Sequence, residues 1–251
     1  MNIVDFVPPD LTVLLTAALV LLSFLTSALT ASVGLGGGLV LLVVLASFLP
    51  PLVVLPVHGV VQFGSNFGRA SLLRQYIDWT ITGYFLVGSI LGVILAGRIF
   101  VALPADVLRA ILGLFVLYSI WTPKLRPSNI PLSGFLGVGA VTSFASIFVG
   151  GTGPLVSAFL SPENMGRKNW VATHAICMTG QHGLKGVIFG FLGFQFLPWL
   201  PTIIAMILSG FLGTLAGRRI LNRLPEKLFK QLFRVILTLL GLRLLLDAYL
   251  G

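Results

Sequence analysis

Long apolar runs separated by short polar stretches dominate the chain. No Asp, Glu, Lys or Arg occurs between Asp10 and Arg69, between Arg126 and Glu163, or between Lys185 and Arg218. Each of these runs is longer than the roughly 20 apolar residues that one transmembrane helix needs. The pattern therefore predicts an all-α, polytopic membrane protein.

The same series of elements occurs twice. Each half has a long apolar helix, a glycine-rich break, a short apolar helix, a helix that contains polar residues and a histidine, and two further spans. The predicted elements, with the first-half member of each pair given first, are Leu11–Val33 and Leu132–Val149, Leu39–Leu49 and Leu155–Leu160, Leu52–Gly68 and Trp170–Leu184, Trp79–Val101 and Leu200–Gly217, and Leu108–Trp121 and Leu228–Leu250.

Two residue spacings bring the halves into register. A spacing of 116 aligns VGLGGGLV at 33–40 with VGGTGPLV at 149–156, and it also aligns His58 with His174. After a five-residue change, a spacing of 121 aligns Gly92 with Gly213. Because glycine, histidine and basic positions all fall in register, we interpret the chain as a duplication. The first repeat covers 1–121, a linker rich in proline and charge covers 122–131, and the second repeat covers 132–251.

The basic residues predict how the repeats are oriented. The second-half loop between Arg218 and Lys230 is rich in Arg and Lys, whereas its first-half counterpart has Arg98 and Arg109 against Asp106. Loops rich in Lys and Arg are typically cytoplasmic. Equivalent loops of unequal basic charge favour opposite sides of the membrane, which predicts an inverted repeat.

Composition narrows the partners and the kind of function. Only 9% of the residues are charged and the mean hydropathy is +1.04, against about 25% charged residues in soluble domains. The net charge of +9 comes from basic residues at the ends of apolar segments, which indicates contact with membrane lipid rather than nucleic acid. Asp247 is the one carboxylate inside a predicted span. We therefore expect no enzyme active site, no metal centre and no cofactor.

The two glycine-rich breaks are the first candidate site. Pairs such as Gly88 with Gly92 are typical of helix packing, but the first break holds more glycines than packing requires. Non-helical backbone at membrane depth persists where protein or a water-filled cavity satisfies it. A helix that begins there presents N–H groups and a positive dipole end, which suit a small anion. We expect these discontinuous helices to meet near the bilayer midplane. The break residues expected to bind the anion are Gly34, Gly36, Gly37, Gly38, Gly150, Gly151, Thr152 and Gly153.

Polar side chains inside the apolar helices are the second candidate site. At helical spacing, one helix carries a stripe that the other half repeats. The stripe residues and their neighbour Asn66 are His58, Gln62, Ser65, Asn66, Arg69, His174, Gln181 and Lys185. Ionisable residues within a membrane span are candidates for function, and histidine can exchange protons with a transported anion. Two alternatives stay open: the histidines belong to the core, or Arg69 and Lys185 extend to the interface instead of attracting the anion.

With its two breaks, GLGGG and GGTGP, the chain resembles the TauE/SafE sulfite exporter family over nearly its whole length. The resemblance implies a multi-pass transporter of the bacterial inner membrane that exports a small sulfur-containing anion, sulfite or an organosulfonate. It also implies that residues 34–38 and 150–154 line the substrate site. No P-loop motif is present in the sequence, so an ion or proton gradient is the expected driver. A passive anion channel and a non-transporting assembly subunit remain alternatives, and a homo-oligomer stays open.

Overall fold

A computed structural model describes residues 7–8, 11–33, 36–100, 103–122, 130–160, 165–220 and 226–250 of the chain. Over these residues the fold is helical and contains no β-strand. The helices are α1 (Val13–Val33), α2 (Gly37–Ala46), α3 (Pro51–Leu72), α4 (Trp79–Phe100), α5 (Ala105–Trp121), α6 (Gly134–Val149), α7 (Gly153–Phe159), α8 (Arg167–Phe191), α9 (Leu200–Ile220) and α10 (Glu226–Leu250). Short 3₁₀ turns precede α4 at Arg74–Tyr76 and α9 at Leu197–Trp199.

Several helices are suited to a lipid environment. Three segments are long and apolar enough to cross a membrane, namely Val13–Ser32, Trp79–Phe100 and Leu197–Gly217. Their outer faces carry large exposed apolar side chains such as Leu14 and Leu91. A soluble monomer rarely exposes such extended apolar surface, whereas lipid tails cover it without cost. The predicted all-α membrane fold is confirmed at this level.

The predicted elements correspond to observed helices, with differences at their ends. The predicted polar helix of the first half extends to Leu72, and that of the second half runs from Arg167 to Phe191. The short helix α2 begins at Gly37. The preceding residue, Gly36, has a φ of 105°, which lies outside the range of an α-helix, so the helix does not include it. Exact ends depend on such local geometry, which apolar pattern alone does not specify.

The closest helix pairs join one half of the chain to the other. Helix α1 packs against α9, and its counterpart α6 packs against α4. Helix α3 packs against its own counterpart α8, and α5 packs against α10. The helix contacts between the halves therefore occur in matched sets, and the polar helices α3 and α8 lie against each other.

Glycines allow the backbones of the long pairs to approach closely. A Cβ added to Gly92 of α4 would collide with the carbonyl of Ala140 in α6. A Cβ added to Gly213 of α9, the repeat counterpart of Gly92, would collide with the carbonyl of Phe24 in α1. Helix association in lipid depends on this close packing, because lipid tails are as apolar as the helices themselves.

We expect Gly92→Ala to lower the thermal unfolding temperature of the purified protein in detergent. The new methyl group has to displace the backbone of α6, and such overpacking typically costs about 1–3 kcal/mol. Gly83→Ala, on the same helix, is the matched control because a Cβ at Gly83 would meet nothing within 4 Å. Equal unfolding temperatures for the two variants would contradict the packing role of Gly92.

Candidate functional site

Two helix breaks occupy corresponding places in the two repeats. In the first, α1 ends at Val33 and α2 begins at Gly37, after the positive φ of Gly36. In the second, α6 ends at Val149, Gly150 has a φ of 78°, and α7 begins at Gly153. Glycine adopts positive φ without the steric cost that other residues incur. Gly34, one of the predicted site residues, lies outside the described residues.

Side chains of α3 and α8 bind the carbonyl groups of both breaks. Nε2 of His58 donates to the carbonyl of Gly38 at 2.9 Å, and Nε2 of His174 donates to the carbonyl of Gly153 at 3.0 Å. A carbonyl oxygen can only accept, so each of these nitrogens carries a hydrogen. The ammonium group of Lys185 donates to the carbonyl of Gly150 at 2.8 Å. The polar helices thus hold the non-helical backbone in place.

A second set of hydrogen bonds joins the polar helices α3 and α8 to the second break and to the neighbouring helices. The Gln181 amide donates to the hydroxyl of Thr152 at 2.7 Å. Its oxygen accepts from the hydroxyl of Ser143 at 3.3 Å. In the first repeat, Ser65, the counterpart of Gln181, forms a hydroxyl–hydroxyl bond of 3.2 Å with Ser27. These side chains therefore join the polar helices to α1 and α6.

A cavity of about 50 Å³ lies between the two breaks and the two polar helices. Since one water needs roughly 10–15 Å³ of such volume, the cavity has room for a small polyatomic ion or a few waters. The predicted site residues that line it are Gly36, Gly38, His58, Gln62, Asn66, Arg69, Gly151, Gly153 and His174. The described ones that do not line it are Gly37, Gly150, Thr152, Ser65, Gln181 and Lys185.

Gly37 faces α1 and not the cavity. A Cβ added there would collide with the carbonyl of Thr26 and the hydroxyl of Thr30. By contrast, a Cβ on Gly151 would lie 3.5 Å from Cε1 of His58, an ordinary contact at the cavity wall. The two breaks together thus contain both a packing glycine and cavity-lining glycines.

Two buried cations give the site its charge. Arg69 is 5% exposed and Lys185 is fully buried. One guanidinium nitrogen of Arg69 donates to Oδ1 of Asn66 at 3.2 Å, while its Nε has no hydrogen-bond partner among the described residues. The described ion pairs involve other arginines, each beside an acid of its own helix. A buried charge is costly unless it is paired, so the cavity favours an anion.

Sequence reasoning omitted four residues that line the cavity, Thr30, Leu39, Met178 and His182, whereas Pro154 falls in the range 150–154 that the family resemblance implied. His182 is the most informative, since its ring meets that of His58 edge-on with 5.7 Å between centroids. It occupies in the second repeat the position of Asn66 in the first. Alignment of the repeats could therefore have identified it. Within the described residues, no three His, Cys, Asp or Glu side chains are placed to hold a metal ion.

Comparison with protein families matches residues 19–244 to Sulfite exporter TauE/SafE. The chain belongs to this family. The matched region includes both breaks and every residue that lines the cavity. The comparison with curated proteins and the comparison with solved structures found no match. TauE/SafE is a family of membrane transporters, so the resemblance inferred from the sequence is confirmed, and with it a multi-pass membrane protein with a role in transport.

We expect Gly151→Ala and Gly153→Ala to weaken sulfite binding by about tenfold or more, a loss of about 1.4 kcal/mol. Each added methyl group would narrow the cavity, with its nearest contacts at 3.5 Å and 3.6 Å, and would meet no backbone. Isothermal titration calorimetry with sulfite measures the affinity, and thermal unfolding in detergent measures the stability, which we expect to stay unchanged.

Gly37→Ala is the matched control for these variants. Its methyl group would collide with α1, so we expect a lower unfolding temperature for it. Wild-type affinity for sulfite in both cavity variants would show that this cavity is not the anion site.

Proposed function

We propose that the protein exports a small sulfur-containing oxyanion, sulfite or an organosulfonate, across the bacterial inner membrane. The observation that carries this proposal is a small cavity lined by the buried Arg69, for which no described carboxylate provides a counter-charge. Membership of the TauE/SafE family supports sulfur chemistry and export. A gradient of protons or other ions is the proposed driving force.

The donors around the cavity suit an oxyanion. Arg69 contributes its guanidinium group, and Asn66 fixes that group from one side. The oxygen of the Gln62 side chain accepts from Asn66 at 3.3 Å, which leaves its amide nitrogen to donate to a ligand. The N–H group of Gly38, in the first turn of α2 beside the cavity, has no acceptor within that helix. Together these groups offer charged and neutral donors to one small anion.

We also propose that the two repeats are inverted. Helices α3 and α8 are repeat counterparts that pack together. Gly59, in the first part of α3, lies against Lys185, in the last part of α8. Arg69, near the end of α3, lines the same cavity as His174, near the start of α8. These contacts support opposite directions for the two counterparts, which is what an inverted repeat requires.

A transport assay in liposomes tests the function. We expect saturable sulfite flux by the wild-type protein and a loss of sulfite affinity of about tenfold or more in Arg69→Gln, because the cavity loses its cation. Arg109→Gln is the matched control, since Arg109 pairs with Asp106 on α5 at a partly exposed position. A panel with methanesulfonate, sulfoacetate, phosphate and chloride defines the selectivity.

The alternatives give different results in the same assay. Flux that rises without saturation indicates a passive channel. Neither binding nor flux for any anion of the panel would contradict the transport proposal and favour an assembly subunit. Equal sulfite affinity in Arg69→Gln and Arg109→Gln would contradict a role of Arg69 in the site.

Cysteine labelling tests the inverted topology. In a Cys177→Ser background, we expect a membrane-impermeant maleimide applied to intact cells to label Leu103→Cys, after α4, and not Arg219→Cys, at the end of α9. The reason is that the ends of these counterpart helices lie on opposite membrane faces in an inverted repeat. Labelling of both positions, or of Arg219→Cys alone, would contradict the inversion.

A further inference from the structure

We propose that the anion binds together with one proton, and that Nδ1 of His58 is the atom that receives this proton. The inference rests on the proposed anion site and identifies the group that couples it to protons. It is carried by the hydrogen-bond geometry of the imidazole rings around the cavity.

The tautomer of His58 is fixed by its neighbour. Nε2 lies 2.9 Å from the carbonyl oxygen of Gly38 and must carry the hydrogen. In a neutral imidazole the other nitrogen, Nδ1, then has a lone pair and no hydrogen. This Nδ1 is buried and has no donor among the described residues. A buried acceptor without a donor costs free energy, and a proton or a ligand O–H group would remove that cost.

His182 adds a second imidazole ring with an unpartnered nitrogen to the cavity. Its Nδ1 is also buried without a described partner, and its ring lies 5.7 Å from that of His58. A fully deprotonated anion would bring only further lone pairs to this side of the cavity. Two imidazolium rings at this distance would repel each other, so the pair takes up one proton and not two. We assign it to His58, because no described hydrogen bond fixes the tautomer of His182.

The charges around His58 link the proton to the anion. Arg69 of α3 lines the same cavity, and the Lys185 stem of α8 lies against Gly59, next to His58. While the cavity holds no anion, these cations oppose an imidazolium at His58, and a bound anion offsets them. By reciprocity, the proton strengthens anion binding as much as the anion strengthens proton binding.

No other described titratable group faces the ring from the elements packed on α3. The cavity-lining residues of α2 and α7 are not titratable, and His174 completes the titratable lining from α8. The described charged side chains of α5 and α9, which also contact α3, do not line the cavity: Asp106, Arg109 and Arg219. In the binding step Nδ1 takes a proton from hydronium or from the O–H of bisulfite. An N–H bond forms, the donor's O–H bond breaks, and water or sulfite respectively is left.

Calorimetry at a pH above the pKa of bisulfite tests the inference, because sulfite then arrives without a proton. Titrations in buffers of different ionisation enthalpy report the protons taken up. We expect about one proton per bound sulfite, and an affinity that rises up to about tenfold for each pH unit lowered. Sulfite binding by the wild-type protein without proton uptake would overturn this inference and leave the anion site standing. No binding of sulfite would overturn the proposed function and this inference with it.

Variants assign the proton to one ring. His58→Gln keeps a donor for the Gly38 carbonyl, and we expect it to bind sulfite without proton uptake. The double variant His174→Gln, His182→Gln leaves His58 as the sole histidine of a chain that has three. We expect it to bind sulfite more weakly, since both residues line the cavity, but still to take up about one proton per bound sulfite. Uptake that persists in His58→Gln overturns the assignment.

Nitrogen NMR provides a test that does not depend on folding of the His58 variant. With ¹⁵N-labelled histidine in the wild-type protein, we expect His58 to show a protonated Nε2 and an unprotonated Nδ1 without sulfite. Addition of sulfite should shift its Nδ1 signal to that of a protonated nitrogen. An Nδ1 signal that does not move on saturation with sulfite would overturn the inference.

Discussion

The backbone carbonyl groups at the two helix breaks must be satisfied inside a chain that has few polar side chains. His58, His174 and Lys185 satisfy three of them, and each comes from the polar helix of the same half of the chain as the break that it binds. Unsatisfied backbone groups at membrane depth cost several kcal/mol each. The side chains that maintain the breaks are therefore held in place, and two of them also form the wall of the cavity. Architecture and site are built from the same contacts.

The two buried cations occupy equivalent sequence positions but have different contacts. Lys185 binds the carbonyl of Gly150, where it also faces the negative end of the α6 dipole. Arg69 binds the side chain of Asn66 and lines the cavity. Lys185 thus has a partial counter-charge from the backbone, whereas Arg69 has only a neutral amide. In a medium of low dielectric constant, the attraction between a cation and a counter-charge is strong. The cation without such a counter-charge, Arg69, is therefore the one that would attract an anionic ligand.

The apolar helices could be predicted from the sequence because they depend on local pattern. Which break residue faces the cavity could not. Gly37 and Gly38 are neighbours in the chain, yet Gly37 packs on the Thr26 carbonyl and Gly38 lines the cavity. Ser65 lies on the same helical stripe as His58, but it bonds to α1. Tertiary neighbours decide these orientations, and a helical stripe contains no information about which helix crosses it. The roles assigned to the cavity residues remain proposals.

The position of the cavity follows from the way the repeats pack. In the proposed inverted arrangement, a pseudo-two-fold axis relates the repeats and passes between α3 and α8, which are counterparts that pack together. His58 and His174 are matched across this axis, whereas Gln62 is matched by Met178, and Asn66 by His182. The proposed symmetric pair of helices thus carries different side chains at matched positions. In the proposed inverted arrangement, exchange of conformation between the repeats would open the cavity to each side in turn. In that arrangement the anion would meet Arg69 in the cavity. Lys185 would stay bound to the carbonyl of Gly150.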